Sequence, residues 1–245
     1  MSTTSKLLKI FLISFLAFGF TKNSTNSIGK ITFILGKPNQ VNILKLGNDN
    51  WQSARLFSKV YNGDKINTKN ESRCELKLND QSLIRIGENT TYRLKQNSSG
   101  LTRDSQLSFG RIWFNIKSLL KKESFAIKTP TAVCSIRGTI FRMETDSTTR
   151  IAVYDGAVDV GPIDGLPKQE EQHNQTKSLQ PVEVPGPHEI PPPFEVTLDQ
   201  WIRIVQGYQI EIRSDGKYAK SKIDETEDQK SEWVKWNIIR DKLVK

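Results

Sequence analysis

The 245-residue chain holds 36% hydrophobic and 26% charged residues, which describes a soluble protein with a modest core and excludes a disordered polymer. Its formal charge of +9 is uneven, about +12 over residues 1–160, about −5 over 161–200 and about +2 beyond. The basic part favours anionic partners or simply solvated strand faces, and its scattered cations argue against nucleic acid.

Lys6 and Lys9 precede an eleven-residue apolar stretch, Ile10 to Phe20, and then polar TKNSTNS. A basic start followed by an apolar run too short to span a bilayer predicts an export signal within residues 1–27. The protein is therefore expected to be exported or periplasmic, and membrane-anchored if the signal stays uncleaved. Two cysteines, Cys74 and Cys134, are either one disulfide in an oxidising compartment or two separately buried small apolar residues.

Short strands follow at spacings near ten. Ile28–Leu35 and Val41–Leu46 alternate apolar and polar residues, and Ala54–Tyr61 fits either a strand or one helical turn. Gly63 and Asp64 mark a turn; Arg73–Leu78 and Ser82–Ile86 flank Asn79-Asp80-Gln81. Thr90–Leu94 and Leu107–Ile116 continue the pattern across a polar loop at 96–106. Phe125–Lys128 runs extended into Thr129-Pro130, where proline turns the chain, and Thr131–Ile136 leads to Arg137-Gly138-Thr139. Ile140–Met143 and Arg150–Val160 add further strands, the latter hinged at Asp155-Gly156.

This cadence predicts an all-β body of stacked short antiparallel strands over residues 28–160, and periodicity does not separate a β-helix-like stack from a sandwich. Residues 161–193 hold eight of the ten prolines and almost no large apolar side chains, as a linker or long loop does. A returning hairpin is expected over 194–224, with Gln206-Gly207 as its turn, and an amphipathic C-terminal helix over 225–245. Trp233, Trp236, Ile239 or Arg240, and Leu243 recur at three- and four-residue spacing on that helix. The stripe either lids the end of the β-body or docks a partner.

No catalytic constellation emerges. Acidic residues sit mostly in turns, and His173 and His188 both lie in the proline-rich segment, so neither a triad nor a zinc site is expected. No phosphate-cradling glycine loop is present. No enzyme activity and no cofactor are expected. Arg137 offers five donors, either to tie neighbouring turns together or, with Lys128 and Arg142, to bind an anionic or polysaccharide partner.

Taken in order, Gly63-Asp64-Lys65-Ile66-Asn67-Thr68, Leu76 to Ile86, Thr129-Pro130 with Arg137-Gly138-Thr139, and the closing strands around Gly156 resemble the FecR-type domain. The resemblance covers roughly residues 28–160, with a looser echo at 196–213, and tilts the expectation toward a β-helix-like stack. Trp233 to Asp241 also looks like the closing segment of some exported stand-alone relatives. In its best-known setting this domain belongs to a membrane-spanning regulator that relays an outer-membrane receptor's signal to a cytoplasmic anti-sigma region. Nine residues precede the apolar stretch here, so the expectation is a stand-alone exported domain. It implies a non-catalytic binding or signalling module that docks an envelope or outer-membrane protein. The alternative is a peptidoglycan- or polysaccharide-binding envelope protein, which would display aromatic residues such as Trp51 and Trp113.

Overall fold

The computed structural model describes residues 27–96, 102–117, 124–163 and 196–244. The expected leader and almost all of the proline-rich segment, both histidines included, lie outside the described residues.

The first half of the body is nine strands: β1 (Gly29–Leu35), β2 (Val41–Leu44), β3 (Gln52–Ser53), β4 (Lys59–Val60), β5 (Lys65–Thr68), β6 (Arg73–Leu78), β7 (Leu83–Ile86), β8 (Thr90–Gln96) and β9 (Thr102–Asn115). The second half adds β10 (Ser124–Lys128), β11 (Val133–Ile136), β12 (Ile140–Thr145), β13 (Thr149–Asp155), β14 (Ala157–Gly161), β15 (Val196–Thr197), β16 (Ile202–Val205), β17 (Tyr208–Ile212) and β18 (Lys217–Lys222). Two short helices close the chain, α1 (Glu225–Asp228) and α2 (Glu232–Leu243). The protein is all-β with a helical end.

These strands make two layers. The first runs β4, β1, β6, β7, β9, β12, β13, β17, β18, β15. The second runs β3, β2, β5, β8, β9, β10, β11, β14, β16. Every pairing is antiparallel except β9 with β10. Strand β9 belongs to both layers: residues 103–109 pair with β8, and residues 110–115 pair with β12. The bend falls at Gly110, whose φ of 104° is open to glycine and strained for other residues. Between the layers lies one core. Phe114 of the first layer stacks on Phe141 at 4.7 Å and meets Phe125 and Tyr92 of the second edge-on at 6.1 Å. All four are fully buried, each stabilising the fold by about 2 kcal/mol through removal of apolar surface from water.

Several expectations need correction. Residues 54–61 are neither a long strand nor a helical turn but only the two-residue β4 after a turn. Gln206-Gly207 does not close a hairpin, because β16 pairs with β14 in one layer and β17 with β13 in the other. The hairpin of this region is β17 with β18. The expected single helix is broken at Gln229–Ser231, where the Ser231 hydroxyl accepts from Val234 N and starts a new helix.

Cys74 and Cys134 form no disulfide. They lie in different layers, Cys74 between Ile34 and Ile86 and Cys134 between Ile127 and Val160. Burial, with the charge of Glu75 nearby, pushes the Cys74 thiol up to about 12, and burial alone pushes Cys134 up as well. Both behave as small core residues.

Candidate functional site: a helix seated on a charged row

On the outer face of the first layer, four successive strands place Glu75, Arg85, Trp113 and Arg142 opposite one another. The alternation that sends Leu76, Ile84, Phe114 and Phe141 into the core sends these four outward. Helix α2 covers the first three. Arg85 is 0% exposed, and its Nε donates to Glu75 Oε2 at 2.8 Å while Nη1 donates to Asp241 Oδ1 at 2.7 Å. The same Nη1 reaches the Asn237 carbonyl at 3.3 Å. Asp241 also accepts from Trp113 Nε1 at 2.8 Å and from Asn115 Nδ2 at 2.9 Å. Glu75 accepts from Thr32 Oγ1 at 2.8 Å and pairs with Arg240 at 3.3 Å.

A second contact holds α1. Arg142 Nη1 pairs with Asp228 at 2.7 Å, and the Tyr154 hydroxyl donates to the same carboxylate at 2.7 Å. Tyr154 in turn stacks on Trp113 at 4.5 Å. Burial opposes ionisation of Glu75, but hydrogen bonds from Arg85 and Thr32 and the charges of Arg240 and Arg85 outweigh it and hold its pKa below the ordinary value.

The tryptophan stripe is therefore not a free docking surface. Trp233 is 1% exposed, stacks on Trp236 at 5.5 Å, and lies between the guanidinium groups of Arg73 and Arg111. Trp236 packs on Phe33 and under Arg240. What the helix turns outward instead is Ile239, Leu243 and Val244, with Leu243 77% exposed. Trp113 is also buried, so of the two aromatics offered for a polysaccharide only Trp51 is exposed.

The motif residues build turns. Asp64 is buried and accepts from Leu46 N, Tyr61 N and Lys45 Nζ, with Gly63 beside it at positive φ. Thr129 Oγ1 donates to Ala132 O and accepts from Ala132 N, closing the turn around Pro130, and Thr149 Oγ1 donates to it at 2.8 Å. Thr139 Oγ1 donates to Ala157 O at 2.8 Å. A Cβ on Gly156 would lie 2.8 Å from Gly138 O, so the glycine at 156 lets its turn touch the one at Gly138. Arg137 is exposed and has no partner among the described residues, so it ties no turns together. Lys128 lies on the other layer, away from Arg142.

Sequence reasoning singled out Trp233 and Trp236 but not Arg85, Glu75, Asn237 or Asp241. A signal was present: Glu75 and Arg85 occupy alternating positions on adjacent predicted strands, and Asn237 and Asp241 are four apart on one helix face.

The fold and this seat define a two-layer β domain closed by its own C-terminal helix. Residues 64–159 match the family model described as FecR protein. Two crystal structures of a proposed anti-sigma factor from Parabacteroides distasonis are similar at 15% identity and a TM-score of 0.47, over 65% of this chain. The chain spans 60% of the length of those structures. No curated protein matches it. Among the described residues no three His, Cys, Asp or Glu side chains gather as a metal site, and no helix is long and apolar enough to cross a membrane.

Proposed function

We propose that this protein is an exported, non-catalytic signalling module that docks a protein of the cell envelope through the outward side of α2. The observation that carries this is the fixed helix: a buried ionic network clamps one side of α2 while Ile239 and Leu243, one turn apart, face solvent. A buried ion network adds little net stability over apolar packing, and its value is in specifying one arrangement. Here it holds an apolar pair in a rigid position, which lowers the entropy cost of a protein contact. The FecR-type match supports a signalling role over a catalytic one.

The test is crosslinked capture from the native envelope with tagged full-length protein, an Ile239→Ala/Leu243→Ala variant, and a chain ending at Asp224. One envelope protein recovered by the full chain and lost from both variants is expected. Equal recovery by all three overturns the reading.

A further inference from the structure

The second layer carries its own charged row, and it is built differently. Lys65 of β5 lies opposite Arg93 of β8, Arg93 opposite Gln106 of β9, and Gln106 opposite Lys128 of β10. All four are set on the outer face by the alternation that buries Ile66, Tyr92, Leu107 and Ile127. Like charges directly opposite destabilise a sheet. Among the described residues none of the three cations has a carboxylate partner, although arginines and carboxylates pair at many other places in the fold. Arg93 Nε is closed off from solvent without any hydrogen-bond acceptor. On the first layer the corresponding row is neutralised by carboxylates and covered by α2.

We infer that this face binds an acidic polysaccharide along Lys65, Arg93 and Lys128. It goes beyond the protein-docking reading and uses the opposite face of the molecule. Strand spacing puts Lys65 about 5 Å from Arg93 and Lys128 about 10 Å further on, a sparse ladder about 15 Å long across the strands. A nucleic acid, with one charge per about 1.7 Å of duplex, needs a denser cationic footprint. Flanking the ladder are neutral amide and hydroxyl groups, Asn67 and Thr91 in the next register row and Gln106 within it, which suit sugar hydroxyls between widely spaced carboxylates. The acids in the adjoining row are Asp104, opposite Lys95, and Asp159, which pairs with Arg203.

Titration of the full-length chain with polygalacturonate fragments tests this, beside dextran, poly-glutamate and a single-stranded oligonucleotide of matched charge. Polygalacturonate is expected to bind and to weaken steeply with salt, and dextran not to bind. The triple variant Lys65→Gln/Arg93→Gln/Lys128→Gln is expected to lose at least tenfold in affinity with an unchanged melting temperature. If it melts early, Lys65→Gln/Lys128→Gln serves, with a loss of at least threefold. Asn67→Ala/Thr91→Ala is expected to weaken polygalacturonate severalfold and leave poly-glutamate unchanged. Wild-type affinity in the folded cation variants, or poly-glutamate or the oligonucleotide binding as tightly as polygalacturonate, overturns the inference.

Discussion

Arg85 decides the energetics of the helix seat. It is fully buried between two carboxylates, Glu75 and Asp241, and its Nη2 has no partner. Such an ion is tolerated only because its neighbours replace most of its hydration, and deleting one member strands the others. Arg85→Ala should therefore cost about 3–5 kcal/mol in a urea melt, and Arg85→Lys should not rescue it, since one ammonium cannot reproduce the planar fork. Glu75 adds a pH dependence of fixed sign. Its folded pKa lies below the ordinary 4.5, so the unfolded chain takes up protons first as pH falls. Its stabilisation is complete above pH 4.5 and fades as pH drops through the depressed folded value. The wild type should lose more stability between pH 7 and pH 3.5 than Glu75→Gln does. Equal losses would remove Glu75 from the account.

At the scale of the helix, the sequence pattern gave the element but not its orientation. Counting apolar residues puts Trp233, Trp236, Ile239 or Arg240 and Leu243 inward, whereas the buried side runs through Trp233, Val234, Asn237 and Asp241. Apolar periodicity fails here because the seat is charged: Arg85 draws the polar side of the helix inward and leaves Ile239 and Leu243 in water. The hairpin of β6 and β7 brings Glu75 to Arg85 locally, but the meeting of that pair with Asp241, far away in the sequence, is invisible until the chain is assembled. Trp233 separates packing from polar satisfaction, since its ring is buried while its Nε1 has no partner. Trp233→Phe keeps most of the ring and removes the orphan donor, so it should stay within about 1.5 kcal/mol of wild type. Trp233→Ala should lose about 3–5 kcal/mol by leaving a cavity. Comparable losses from the two in thermal or urea melts would mean that the indole nitrogen, and not the ring volume, holds the helix.

Across the whole molecule, the strands were legible and their partners were not. Turn residues and period-two alternation locate β6 to β8 and β10 to β14 to within a residue or two, because each depends on its own neighbours. Which strands pair depends on contacts far apart in sequence, as when β1 joins β6 and β9 joins β12, and local pattern carries no trace of that. Even the turn at Gln81 takes φ 71° without a glycine. The joint between the layers rests on Gly110, a residue with no chemical role, where β9 leaves one sheet for the other. A Cβ there would lie 2.5 Å from the Thr90 Cα, a backbone atom fixed by β8, and the φ of 104° adds strain of its own. Gly47 has a positive φ of 82° but open space around its missing Cβ, so Gly47→Ala pays the conformational cost alone, about 1 kcal/mol. Gly110→Ala should be worse by at least about 2 kcal/mol, because β8 or β9 has to shift and both layers share β9. Matched urea melts of the two variants measure that difference directly. If both lose the same amount, the close approach of β9 to Thr90 is not what fixes the angle between the layers, and the two sheets are held together by the aromatic core around Phe114 alone.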